Sequence, residues 1–132
     1  MSTHTLLNKP TKAYILRLSN NELSVEYARH TAESCDKIGL AWEYFEGYDH
    51  IDIKTLVEKS NLGIKNFDAK MTVGAASASF SHYKIWEKIR DNKETAIILE
   101  HDAVMLWPVD LEIPDNTIVN LGYKVNEIDK YD

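Results

Sequence analysis

The residues best equipped for chemistry sit together in "AIILEHDAVM", where Glu100, His101 and Asp102 follow the apolar run Ala96, Ile97, Ile98 and Leu99. A buried strand that ends in two carboxylates and an imidazole suits a divalent cation. Mg²⁺ and Mn²⁺ prefer hard oxygen donors, and one or two carboxylates with substrate phosphates commonly hold them. If the chain stays extended, Glu100 and Asp102 point to the same side, about 6–7 Å apart at the usual strand rise, and His101 points away. A polar strand end that merely starts a turn is the simpler alternative for an acidic pair alone.

Such a strand end needs elements to position it. Residues 13–18, "AYILRL", form a nearly continuous apolar run of the kind that parallel strands buried on both faces show. Ser19, Asn20 or Asn21 can then cap a helix over residues 22–38, whose Ala28, Thr31, Ala32, Cys35 and Ile38 share a face. Gly39 fits the position just past that helix. Residues 40–47 read as a second strand, so strand, helix and strand compose a βαβ unit. A short helix is expected over residues 51–60, followed by a loop reaching Gly74 in which Lys70 and Thr72 could cover a ligand.

A helix over residues 79–90 places His82, Ile85, Trp86 and Ile89 on one stripe, expected to face the sheet, with Lys84, Glu87 and Lys88 in water. The acidic strand over residues 95–99 follows, and "TIVNLGY" offers one more strand. The alternation indicates an α/β fold around a mostly parallel sheet, one domain over residues 13–132 behind a flexible arm at residues 1–12. In such sheets ligands bind outside the carboxyl ends of the strands, where Glu100 to Asp102 stand.

Composition narrows the function. The 132 residues carry 15 Lys and Arg against 21 Asp and Glu, a formal charge of −6, which gives no electrostatic footprint for nucleic acid. A single cysteine excludes an internal disulfide and suits a reducing, cytoplasmic setting, and no apolar stretch approaches a membrane span. The five glycines compose neither a dinucleotide fingerprint nor a P-loop.

Three segments together resemble glycosyltransferase family 25, which includes lipopolysaccharide-type galactosyltransferases. "AYILRLSNNELSVEYARHTAESCDKIGLAWEYFEGYD" is similar to the family's opening strand, helix and strand, with its short "I-S-L" run. "GAASASFSHYKIWEKI" is similar to "G-x-x-G-C-x-x-S-H-x-x-x-W", and "AIILEHDAVM" to "A-L-I-L-E-D-D-V". Ser77 and Ala78 stand where the family has Gly-Cys, and His101 replaces the middle Asp.

The resemblance implies the Rossmann-like, nucleotide-binding half of a glycosyltransferase A fold. Ser81, His82 and Trp86 occupy the Ser-His-x-x-x-Trp places, and Glu100 and Asp102 the outer places of a DxD-like motif. Asp102 is then the first choice as ligand to Mn²⁺ or Mg²⁺, with Glu100 beside it. Leu18, Ser19 and Asn20 are implied as uracil or ribose contacts, while an N-cap role suits the same stretch. His82 is either a donor contact or a structural partner of the strand-end carboxylates, and Trp86 and Cys35 read as core. Arg17 and Arg29 could reach a diphosphate, although surface salt bridges are the ordinary use of such residues.

The implied activity is metal-dependent transfer of a sugar, galactose first, from a UDP-sugar to a glycan acceptor. The family's C-terminal half usually supplies acceptor contacts and any general base, so two further expectations stand beside activity. One is a non-catalytic relative that binds a nucleotide or a partner chain. The other is a homo-oligomer formed at an unfinished sheet edge.

Overall fold

A computed structural model describes residues 7–48, 73–115 and 117–119. Within them the chain runs β1 (Leu7–Asn8), β2 (Lys12–Arg17), α1 (Glu22–Lys37), β3 (Ala41–Glu46), α2 (Val73–Asn92), β4 (Ala96–Glu100) and β5 (Ile113–Pro114). The helix expected over residues 51–60, Lys70 and Thr72 lie outside the described residues, as does most of the last expected strand. Thr117 to Val119 adopt no regular structure.

The main sheet has the order β3-β2-β4, with both neighbours parallel to β2. Lys12 pairs with Ala41 and Ala96, and Leu16 with Phe45 and Glu100. This is the expected α/β architecture, a Rossmann-like half-fold with helices beside a parallel sheet. Leu7–Asn8, in the segment read as an arm, pairs antiparallel with Ile113–Pro114.

Strand alternation assigns the faces of the sheet. Ala13, Ile15, Ile97 and Leu99 pack with Ala28, Ala32 and Cys35 of α1 in one core cluster. Small residues on α1 let the helix lie close to the strands. Asn21 caps this helix, its side chain accepting from the Ser24 N–H at 3.0 Å. At the other end Gly39 takes a left-handed φ of +70°, and the Leu40 N–H returns to the Cys35 carbonyl at 3.0 Å.

Tyr14, Glu43 and Phe45 point to the opposite face, where α2 lies. The Lys88 ammonium sits 5.3 Å from the Tyr14 ring centroid and 2.7 Å from a Glu43 oxygen. The side chains buried on α2 are Ala76, Ser77, Phe80, Ser81 and Ile85. Of the expected stripe Ile85 is buried, but the rest is corrected: Trp86 is 45% exposed and stands against the His82 ring, and Lys88 packs on the sheet. The buried row lies one residue earlier, about 100° round the helix. Alanine and serine allow this close approach, and a stripe chosen by large apolar residues misses it.

Two outcomes follow from this packing. Ile85→Ala should cost about 2–5 kcal/mol, whereas Trp86→Ala should cost under about 1 kcal/mol in urea unfolding. Hydrogen bonds from Lys88 and then Lys12 hold the Glu43 carboxyl below the ordinary glutamate range. A carboxyl depressed in the folded state stabilises above its unfolded pKa, and that stability is lost as pH falls through the folded value. Lys88→Met should raise the Glu43 midpoint in a carboxyl-carbon NMR titration.

Candidate functional site

Because β2, β3 and β4 are parallel, their carboxyl ends meet at one edge of the sheet. The chain leaves β2 to one side for β3 and returns to its other side for β4, so the strand order reverses beside β2. Open α/β sheets bind ligands at such a reversal. A cavity of about 270 Å³ lies there, walled by Leu16, Arg17 and Leu18 from β2 and its exit, and by Glu100 and His101 from β4. Gly47 and Tyr48 close it after β3, and Ser77, Ala78 and Ser81 of α2 face it.

Gly47 comes close to β2, its N–H donating to the Arg17 carbonyl at 2.8 Å. A Cβ at this glycine would stand 3.0 Å from Leu18 Cδ2 and 3.2 Å from Leu16 Cδ1, so a larger residue would displace the cavity wall. Ser81 ties α2 to the same wall. Its hydroxyl donates to the Ser77 carbonyl at 2.8 Å and accepts from the Tyr48 N–H at 2.9 Å.

The acidic segment is not extended. Strand β4 ends at Glu100, and the Ala103 N–H donates to the Glu100 carbonyl at 3.0 Å, which makes Glu100 to Ala103 a turn. The expected same-side spacing of Glu100 and Asp102 therefore does not apply. Glu100 faces the cavity, and its Oε1 is 3.5 Å from His82 Nε2. His101 turns toward α1, with Nδ1 3.3 Å from Ser24 Oγ and its ring stacked on Tyr27 at 6.1 Å. Asp102 is exposed on the turn beyond the cavity lining and makes no ion pair among the described residues.

Buried hydroxyls of α1 hold this turn. Thr31 Oγ1 is within donating distance of the His101 carbonyl at 2.9 Å and the Ala103 carbonyl at 2.6 Å. Ser34 Oγ accepts from the Met105 N–H at 3.0 Å. The loop after β2 is held as firmly: the Leu18 N–H donates to Ser24 Oγ at 2.8 Å and the Ser19 N–H to Glu46 at 2.7 Å. The structure thus places Leu18 in the cavity wall and Ser19 and Asn20, both exposed, on the rim loop beside it.

Arg17 does not form the surface salt bridge that is its ordinary use. Its guanidinium lies 3.8 Å from the Tyr44 ring centroid, and Nε is buried with no hydrogen-bond partner. Ser77 Oγ, on α2 across the sheet, is likewise buried and unpartnered. Arg29, by contrast, pairs with Glu26 and Glu33 on the outer face of α1. The i, i+4 spacing of Ser77 and Ser81 is the signal that could have brought these serines forward.

Among the described residues no group of three His, Cys, Asp or Glu side chains forms a metal cage. Glu100 and Asp102 are two exposed carboxylates within the same turn.

A parallel α/β sheet with a largely apolar cavity at its strand reversal defines a Rossmann-like half-fold. The family model described as glycosyltransferase family 25 (LPS biosynthesis protein) matches residues 11–108. The chain belongs to this family, and membership implies glycosyltransferase activity in lipopolysaccharide biosynthesis, with a sugar donor and an acceptor. No curated protein and no solved structure matches the chain. No described helix is long and apolar enough to cross a membrane.

The hydroxyl anchoring of the turn is directly testable. Thr31→Val keeps the side-chain shape but removes the one hydroxyl proton that the Tyr27, His101 and Ala103 carbonyls surround, at an expected cost of about 1–3 kcal/mol. Thr31→Ser should retain most of that stability in urea unfolding, and equal losses in the two variants would remove the hydroxyl from the account.

Proposed function

We propose that this chain carries the donor site of a metal-dependent glycosyltransferase A-type enzyme that transfers a sugar, galactose first, from a UDP-sugar to a glycan acceptor. The observation that carries this reading is the position of Glu100 at the end of β4, facing a cavity at the strand reversal of a family 25 chain. Glu100 and Asp102 are the residues to hold Mn²⁺ or Mg²⁺. A cation held there would supply positive charge against the departing nucleoside diphosphate.

The chain's own residues orient the donor. His82 steadies the Glu100 carboxylate from α2, and Leu18, Ser19 and Asn20 border the nucleoside end of the cavity. The rim loop is pre-organised because its Leu18 and Ser19 amides are already bonded to Ser24 and Glu46. Binding then costs little ordering of this loop. The single thiol, Cys35, is buried and free, which fits a reducing, cytoplasmic setting.

Calorimetry with UDP, with and without Mn²⁺, tests the reading. Wild-type protein should bind UDP far more tightly with Mn²⁺, and Asp102→Asn should abolish that gain. The melting temperature should barely move, because Asp102 is exposed and forms no described ion pair. Glu100→Gln should also weaken Mn²⁺-dependent binding. Absence of UDP binding by the wild type would overturn the donor site. UDP binding without transfer or hydrolysis of a UDP-sugar would leave a nucleotide-binding relative.

A further inference from the structure

The core makes no use of the largest side chain on α2. Alanine and serine take the closest approach to the sheet, and Trp86 is left 45% exposed beside His82. Single exposed apolar side chains are ordinary, so exposure alone assigns nothing. The position of this one does. Residues i and i+4 lie one turn apart on one helix face, so Trp86 follows His82 directly. The two rings meet edge-to-face at 6.4 Å, and His82 Nε2 is 3.5 Å from Glu100 Oε1. A chain of side-chain contacts therefore joins the exposed indole to the acid that ends β4.

The other two tryptophans have no such position. Trp42 is half-buried and donates through Nε1 to Asp36 at 2.8 Å. Trp107 adjoins Pro108 and Val109, which with Pro10 and Leu40 border a cavity at the amino ends of the strands.

The surroundings of Trp86 identify the class of ligand. In an edge-to-face contact at least one indole face stays free of the partner ring, and ring faces carry the negative side of the quadrupole. The charged side chains around it on α2 are already paired. Lys84 meets Glu87 at 2.7 Å, Lys88 meets Glu43 at 2.7 Å, and Arg90 meets Asp91 at 3.0 Å. A flat, uncharged and slightly negative surface matches the C–H face of a pyranose, whose hydrogens are made positive by the neighbouring oxygens. Galactose offers a broad face of this kind, because its axial 4-hydroxyl leaves C–H bonds together on the opposite side.

We propose that Trp86 is the stacking platform of an acceptor-glycan subsite, holding a neutral pyranose against the outer flank of His82 and Glu100. The proposal deepens the glycosyltransferase reading and rests on it for one point, that the sugar held there is the acceptor. In that reading the nucleoside lies toward Leu18, Ser19 and Asn20, so the acceptor belongs at the Glu100 end. Trp86 positions the acceptor and takes no part in bond making. The sugar contact itself rests on Trp86 and its neighbours alone.

The test is an NMR titration of the full chain, isotope-labelled on nitrogen, with lactose and methyl β-galactoside. The chain has three tryptophans, and Trp86→Phe assigns the indole N–H signal that disappears. Both sugars should shift the Trp86 signal saturably and leave those of Trp42 and Trp107 in place. Sorbitol, which has the hydroxyls without the ring face, should shift none. Saturation transfer to lactose should fall about five- to tenfold in affinity for Trp86→Ala, and Trp86→Tyr should recover most of it. Melting curves establish that each variant is folded, and the wild-type indole shift stands independently of them.

A Trp86 signal that neither sugar moves, with or without UDP and Mn²⁺, would overturn the platform, as would an equal shift with sorbitol. So would self-association that Trp86→Ala abolishes, since a second copy would then cover the indole. If lactose shifts Trp86 while UDP never binds, the platform stands and the donor site falls. If UDP binds with Mn²⁺ and no sugar moves Trp86, the donor site stands and the platform falls.

Discussion

Strand β2 is hydrogen-bonded along both edges to strands running its own way, and the placement of every side chain in the cavity depends on that double pairing. Parallel neighbours cannot be joined by hairpins, so the chain must cross over between them, and α1 provides the first crossover. With one neighbour reached on each side, the carboxyl ends of three strands are brought to one edge. Register then assigns the chemistry. Leu16 opposite Glu100 and Arg17 opposite Glu46 place an acid and a cation at neighbouring positions. A slip of one residue would reverse the face of each strand and take Arg17 off Tyr44.

The acidic turn depends on a second constraint, which is polar. Helix α1 buries not only Ala28, Ala32 and Cys35 but also Ser24, Thr31 and Ser34. Buried hydroxyls are unfavourable unless bonded, and here they bond to the two segments that border the cavity. Ser24 takes the Leu18 amide and approaches His101, while Thr31 and Ser34 take the carbonyls and amide after β4. One helix face thus packs the core and fixes the loops, so the positions of Leu18 and Glu100 are coupled through α1.

Much of this was legible in the sequence. The apolar runs at β2 and β4, the cap at Asn21 and the left-handed Gly39 follow from local rules, and these yield the parallel α/β fold. The family was legible in short segments that keep their order and spacing, and it covers residues 11–108. The rotation of α2 was not, because periodicity reports that a helix has an apolar face but not whether small residues will outcompete a tryptophan for the closest approach. The turn after Glu100 was not either. Its cause is Thr31, about seventy residues earlier, and long-range hydrogen bonds leave no local pattern. Arg17 looked like an ordinary surface cation because stacking on Tyr44 depends on the register of β3, which composition does not state.

The cavity is mixed in charge, and that mixture constrains what can occupy it. Glu100 stands at the β4 side, and Arg17 lines the wall from β2, beside largely apolar surface from Leu16, Leu18 and Ala78. A simple anion would lie near the Glu100 carboxylate, a repulsion that a cation would offset. In the proposed donor complex, a nucleoside diphosphate carrying a divalent cation brings a positive centre to Glu100 and Asp102. That cation would discriminate against metal-free nucleotides, which bring phosphate charge toward Glu100 with nothing to offset it.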